Sequence, residues 1–285
     1  MTHALRLGSI LLLAFHSAAA DGPRQRKAWP FSANEAKQRQ EKTAKALGVP
    51  VTLTNSIGMT LVLIPPGEFD MGSRPGEERR EPDSQPVHRV RITRAFYLGE
   101  TEVTQKQFAL VMGMNPSQDR SDGKPVEQVG WPMAVEFCKK LSAKEGKRYR
   151  LPTEAQWEYA CRAGADTFFH FGDDRQYQQL DHHAWHGRNS QAMLHPVKSK
   201  RPNTWGLFDM HGGVWEWCAD WYAKDYYARG PAADPAGPPD GTVRVLRGGS
   251  FLAYPWNCFC GYRSFFSPEY RDRGMGLRVL CELKK

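Results

Sequence analysis

The stretch from Gly206 to Tyr222, GLFDMHGGVWEWCADWY, holds the densest group of residues able to do chemistry. Asp209, Glu216 and Asp220 are interleaved with Trp215, Trp217 and Trp221 around a Gly212-Gly213 pair. Alternating large aromatics after a glycine turn make a poor amphipathic helix and a good short, buried strand. Indoles of that size must be enclosed, each N–H needs an acceptor, and the acids between them are drawn inside. A buried carboxylate then needs a cation, a network of donors or a metal. Glycine lets backbone carbonyls approach a cation, and an oxygen-rich set of that kind suits calcium. A packed aromatic core with salt-bridged acids fits the same residues, and the residues alone leave both readings open.

A second diglycine, Gly248-Gly249, forces a sharp turn that presents Ser250 at the end of the strand-like run Val243 to Arg247. The loops beyond it carry Trp256, Cys258, Cys260, Arg263 and Glu269. Cys258 and Cys260 are too close to pair with each other easily, so at most one is expected to bridge to Cys161 or Cys218. Cys138 shares an apolar helix face with Ala134, Phe137 and Leu141, which marks it as a structural cysteine. His170, His182, His183, His186 and His195 fall between Asp166 and Asn203. No two of them have metal-ligand spacing on a helix and no acid completes a facial triad, which argues against a histidine metal site.

The elements that must hold these residues are short. Gly 26 and Pro 20, with Trp 9, Tyr 10 and Phe 14 in 285 residues, predict a loop-rich fold held by aromatics. Residues 1–20 read as a secretory signal, with Arg6 ahead of an apolar core and HSAAA at the cleavage site near Ala20. The apolar run is too short to span a bilayer, so the mature chain is expected to be exported and free of a membrane span. Six cysteines in an exported chain predict disulfides, without choosing their pairing. The net charge of +8 is scattered, with no basic block or nucleic-acid motif, and no dinucleotide fingerprint appears.

Residues 21–54 read as a polar N-terminal extension in which Ser32 or Asn34 caps a short helix. Strands are expected at Leu61–Ile64, in the segment ending at Gly72, at Val87–Ile92, and over the closing MGLRVLCEL. Thr104 with Gln107 and Thr153 with Gln156 form capping boxes for two helices, and a third helix runs from about Trp131 to Gly146.

Taken in order, GMTLVLIPPGEFDMGS, PVHRV, ETEVTQKQF, RLPTEAQWEYACRAG, GLFDMHGGVWEWCADWY, VLRGGS and GLRVL resemble the formylglycine-generating enzyme family. The resemblance covers residues 55–281. It implies a single α+β domain over 55–285, a decorated C-type-lectin-like fold with little regular structure and bound calcium. It assigns Asp209 and Glu216 as carboxylate ligands and Gly212 and Val214 as carbonyl ligands. It also implies the bridges Cys138–Cys281 and Cys161 to Cys258 or Cys260.

Members of that family that oxidise a sulfatase cysteine hold copper(I) between two cysteines spaced as Ala253 and Cys258 are here, and soft thiolates suit that ion. Ala253 occupies the first position, so formylglycine formation is not expected. Among members lacking the pair, the chain resembles the periplasmic pyoverdine-maturation branch. That implies a periplasmic oxidoreductase converting the dihydropyoverdine chromophore to pyoverdine, with a siderophore precursor as substrate and other periplasmic maturation enzymes as partners. The roles expected around Ser250 are Glu269 as base and Arg263 holding an anionic oxygen. Trp215 and Trp256 would be walls, and Cys258 or Cys260 a redox or metal thiol. The alternatives are a calcium-stabilised binding module without catalysis, with Glu269 paired to Arg271 or Arg273, and a formylglycine-type oxidase using another metal.

Overall fold

The structure, a computed structural model, describes residues 31–77 and 81–283. The export signal expected over residues 1–20 lies outside the described residues. The run Leu61-Val62-Leu63-Ile64 sets the centre of the fold. Successive strand side chains face opposite ways, so an apolar run without polar breaks requires a core on each side. In β2 (Thr60–Ile64), Leu61 and Leu63 join one core with Phe108, Phe137 and Trp217. Val62 and Ile64 join the other, with Phe69, Trp157 and Tyr159. Shortening Leu63 to Ala should cost roughly 2–5 kcal/mol.

β2 pairs antiparallel with β1 (Thr52–Thr54) and with β5 (Phe96–Gly99). β11 (Leu280–Glu282) and β6 (Tyr149–Arg150) complete a five-stranded sheet in the order β1-β2-β5-β11-β6. A second sheet, in the order β10-β7-β8-β9, is built on the aromatic stretch as β7 (Trp215–Trp221). β10 (Met275–Gly276) runs parallel to β7, β8 (Arg244–Arg247) runs antiparallel, and β9 (Ser264–Phe266) pairs with β8. β3 (Gly67–Met71) and β4 (His88–Ile92) form a separate ribbon.

The helices are α1 (Ala33–Leu47), α2 (Gln105–Met112), α3 (Trp131–Glu145), α4 (Glu154–Arg162) and the short α5 (Tyr226–Arg229). Reciprocal capping boxes start α1 at Ser32/Glu35, α2 at Thr104/Gln107 and α4 at Thr153/Gln156. Gly146, in the left-handed region at φ 62°, ends α3. About 24% of the chain is helical and 20% strand, an α+β single domain rich in loops, as expected. Among the described residues no helix is long and apolar enough to cross a membrane.

Two boundaries differ from expectation. Residues 33–54 are integral to the domain. α1 buries Ala36, Gln40 and Ala44, the Gln40 amide donates to the Leu63 and Trp205 carbonyls at 3.0 and 3.1 Å, and β1 is a strand of the main sheet. The closing strand is split, with β10 in one sheet and β11 in the other. The break falls at Leu277–Val279, where Arg278 turns its side chain into the interior.

Candidate functional site

β7 carries Glu216 into the core, where it meets Arg278. Arg278 Nη2 donates to Glu216 Oε1 at 2.7 Å, and Nε lies 3.0 Å from each oxygen. Trp157 Nε1, from α4, donates to Oε2 at 2.6 Å. Three N–H donors thus reach the carboxylate, which clamps Arg278 and Trp157 while keeping acceptor capacity beyond them. Arg278 also donates to the Gly99 and Phe208 carbonyls, tying β5 and the Asp209 loop to the same point.

Two more carboxylates are buried beside this pair, Glu102 at 1% and Asp209 at 6% exposure. Glu102 Oε1 accepts from the Val214 amide at 3.1 Å, and Asp209 Oδ2 from the Lys198 amide at 2.8 Å. Burial, then the Asp209 charge, raises Glu102 well above the usual carboxylate range, and burial raises Asp209 to about 6. Three buried carboxylates face the single guanidinium of Arg278, and that excess of negative oxygen fits a hard divalent cation. The backbone is shaped to allow it. Asp209, Gly212 and Gly213 all have positive φ, and a side chain at Gly212 would strike the Trp185 carbonyl, one at Gly213 the Glu102 carboxylate. Glu102 was missed by sequence reasoning. It is one acid among several in the run before α2, and only the fold brings it to the diglycine loop.

The second diglycine builds a separate corner. Gly248 and Gly249 have φ of 99° and 80°, and Ser250 is buried with its Oγ 3.3 Å from the Leu252 amide. Gly274 packs against Ser250 Oγ, where an added Cβ would sit 3.1 Å away. Its amide donates to Asp272 Oδ1 at 2.7 Å, and its carbonyl accepts from Trp215 N at 2.7 Å. Ser250, Asp272 and the half-buried Trp215 thus converge on one glycine. Stacked rings stand in the flanking segments, the exposed Tyr254 on the half-buried Trp256 at 4.4 Å and the exposed Phe266 on Tyr270 at 4.5 Å. Asp272 carried no sequence signal of its own.

Two expected members of this corner are closed off from a substrate. Arg263 is in the core, where Nε and Nη2 donate to Glu154 at 2.7 and 3.0 Å and Nη1 donates to the Asp83 carbonyl at 2.7 Å. A guanidinium so engaged does not reach a substrate oxygen. Cys258 is fully buried against Gly249, and burial pushes its thiol up to about 12, so it is no thiolate near neutrality. Ala253, half-exposed, occupies the other cysteine position. Glu269 stands exposed on the loop between β9 and β10 and forms no ion pair among the described residues, with Arg271 and Arg273 included.

All six cysteines are buried free thiols in the structure, so the expected bridges, Cys138–Cys281 included, are not formed there. Cys161 and Cys260 Sγ lie 3.6 Å apart beside His211, and the donor atoms of the three fall within 4.8 Å. His211 Nδ1 is 2.7 Å from the Cys258 carbonyl, which only accepts, so Nδ1 carries the proton. Nε2 then accepts from His170 Nδ1 at 2.9 Å. Cys161 Sγ is 3.9 and 4.0 Å from the two ring nitrogens. Equal distances place the sulfur off both lone-pair axes, so this trio is arranged as a hydrogen-bonded cluster rather than a ligand set. Burial lowers His211 to about 3 and His183 to about 4, and His170 falls well below its usual value.

Residues 48–283 match the sulfatase-modifying factor enzyme 1-like domain. The chain belongs to the sulfatase-modifying factor (formylglycine-generating enzyme) family. A formylglycine-generating enzyme of Streptomyces coelicolor is 33% identical over 281 residues, covering 76% of this chain and 87% of its relative. PvdO from Pseudomonas aeruginosa superposes with a TM-score of 0.74 at 28% identity, over 81% of this chain and 98% of its own. Treponema denticola variable protein 1 does so with a TM-score of 0.74 at 33% identity, over 82% and 100%. Family membership fixes the fold, and the site must decide the chemistry.

Proposed function

We propose that this family member is a periplasmic oxidoreductase of siderophore maturation that oxidises the dihydropyoverdine chromophore to pyoverdine. The observation that carries this reading is the composition of the Ser250 corner. The turn that would need two thiolates for copper(I) has Ala253 and an enclosed Cys258, and its surroundings present flat aromatic rings. Such rings suit stacking on a planar chromophore. The extensive likeness to PvdO supports the same substrate class. The chromophore gives up two electrons and two protons, and dioxygen accepts both to leave as hydrogen peroxide. A positioned base must take the ring proton. The Gly274 amide fixes Asp272 beside Ser250, which supports Asp272 as that base, and Glu269 on the same loop is the second candidate.

Calcium would be held by Asp209 and Glu216 with the carbonyls of Gly212 and Val214, and Glu102 adds a further carboxylate beside them. Its part is structural, fixing the loop that leads into Trp215. The siderophore precursor is the small-molecule partner, with other periplasmic maturation enzymes acting before or after.

Asp272→Asn tests the assignment of the base. It should lower chromophore oxidation by about 10²-fold or more while precursor binding persists, with Glu269→Gln affecting it less. Full-rate oxidation by Asp272→Asn would remove Asp272 from the reaction. The second reading, a binding module without catalysis, draws on the absence of a reactive thiolate at the corner. It predicts tight precursor binding without any spectral change.

A further inference from the structure

A cleft of about 420 Å³ lies between α3 and β6, lined by none of the residues of the Ser250 corner. Its walls are apolar, with Trp131, Val135 and Leu151 facing the space and the Cys138 thiol beneath. The volume falls in the range of small-molecule sites. Trp131 is held rigidly. Its Nε1 donates to the Cys218 carbonyl at 2.9 Å, and the Arg244 guanidinium lies between its ring and that of Trp221, 3.8 and 3.4 Å from their centroids. A preformed wall of this kind lowers the ordering cost of binding.

The charged residues lining the cleft are Lys139 and Arg150, and no acid lines it. The acids nearby in sequence are engaged. Glu136 lies 4.0 Å from Lys139, Glu145 accepts from the Ser56 amide at 3.0 Å, and Glu282 takes both Arg148 at 3.2 Å and Arg150 at 2.7 Å. Lys140, Lys144, Lys147 and Arg148 add further positive charge along the same segment. An apolar pocket under a basic lip is complementary to one class of molecule. We propose that this cleft binds a small free amphiphile with an apolar tail and a carboxylate head. The tail lies along Trp131 and Val135, and the head meets the exposed Lys139, while Arg150 is held by Glu282, Gln156 and the Leu151 carbonyl. Binding is non-covalent, since burial raises the Cys138 thiol to about 12 and leaves it unreactive. The inference does not depend on the oxidation proposed for the Ser250 corner.

Titration calorimetry of the whole protein with dodecanoate, below its micellar range, tests it. Dodecyltrimethylammonium, with the same tail and a cationic head, is the control. Dodecanoate should bind saturably at one site and about tenfold or more tighter than the cationic analogue. Val135→Trp fills the cleft and should weaken dodecanoate by about tenfold or more. Lys139→Glu, at a side chain 80% exposed, leaves folding untouched and should shrink the preference for the anionic head even if the tryptophan variant misfolds. Absence of dodecanoate binding, equal binding of the two heads, or a preference unchanged by Lys139→Glu would overturn the proposal.

Discussion

Arg278 Nη2 lies 2.7 Å from Glu216 Oε1 with both side chains enclosed, and the pair joins the aromatic strand to the split C-terminal segment. Removing one partner of such a pair strands an uncompensated charge. Arg278→Met is expected to lose about 3–5 kcal/mol of stability in denaturant unfolding, because Glu216, Glu102 and Asp209 then face no cation. Glu216→Gln should cost less, since Arg278 keeps Glu102 and Asp209 as neighbours.

Calcium should stabilise the protein in a pH-dependent way. Without a cation, Asp209 sits at about 6, above its usual value, so its proton must leave before calcium can bind. In chelator, ionising this group costs stability as pH rises through 6. The rise in unfolding temperature on adding calcium should therefore be small at pH 5 and full at pH 7.5, and Glu102→Gln should abolish most of it. A calcium effect equal at both pH values would count against a carboxylate site here.

The buried histidines pull the other way in acid. His211 and His183 are lowered to about 3 and 4, so the unfolded chain takes up more protons below about 6.5. Stability from a neutral imidazole is complete above that value and is lost as pH falls toward the folded-state values. The fully buried His211 is expected to cost about 2 kcal/mol by pH 5, and the half-buried, solvent-screened His183 less. Replacing His211 with Asn should flatten the acid side of the stability curve measured in chelator.

Native protein should resist thiol reagents at neutral pH, because every cysteine is buried and the thiols of Cys138 and Cys258 are pushed up to about 12. Rapid labelling of Cys258 before unfolding would contradict its placement against Gly249.

What was legible in the chain was local. The capping boxes at Thr104 and Thr153 are read from residues three apart, and the double-sided burial of β2 from an unbroken apolar run. What was hidden depends on distant partners. Arg263 looks like a free loop cation until Glu154, 109 residues away, closes on it. His211 meets His170 across 41 residues, and Glu102 reaches Val214 across 112. The single closing strand failed for the same reason: nothing beside Arg278 in sequence announces that it must turn inward to Glu216. The six cysteines predicted bridges, whereas the fold buries each as a free thiol, Cys161 and Cys260 beside His211.

The central claim is oxidation of a siderophore chromophore at the Ser250 corner. Its most direct test is the absorbance of purified dihydropyoverdine mixed with the protein in air and without oxygen, with peroxide measured in parallel. The account predicts protein-dependent appearance of the pyoverdine spectrum in air, with one peroxide formed for each chromophore oxidised. Saturable binding with no spectral change in air would contradict it.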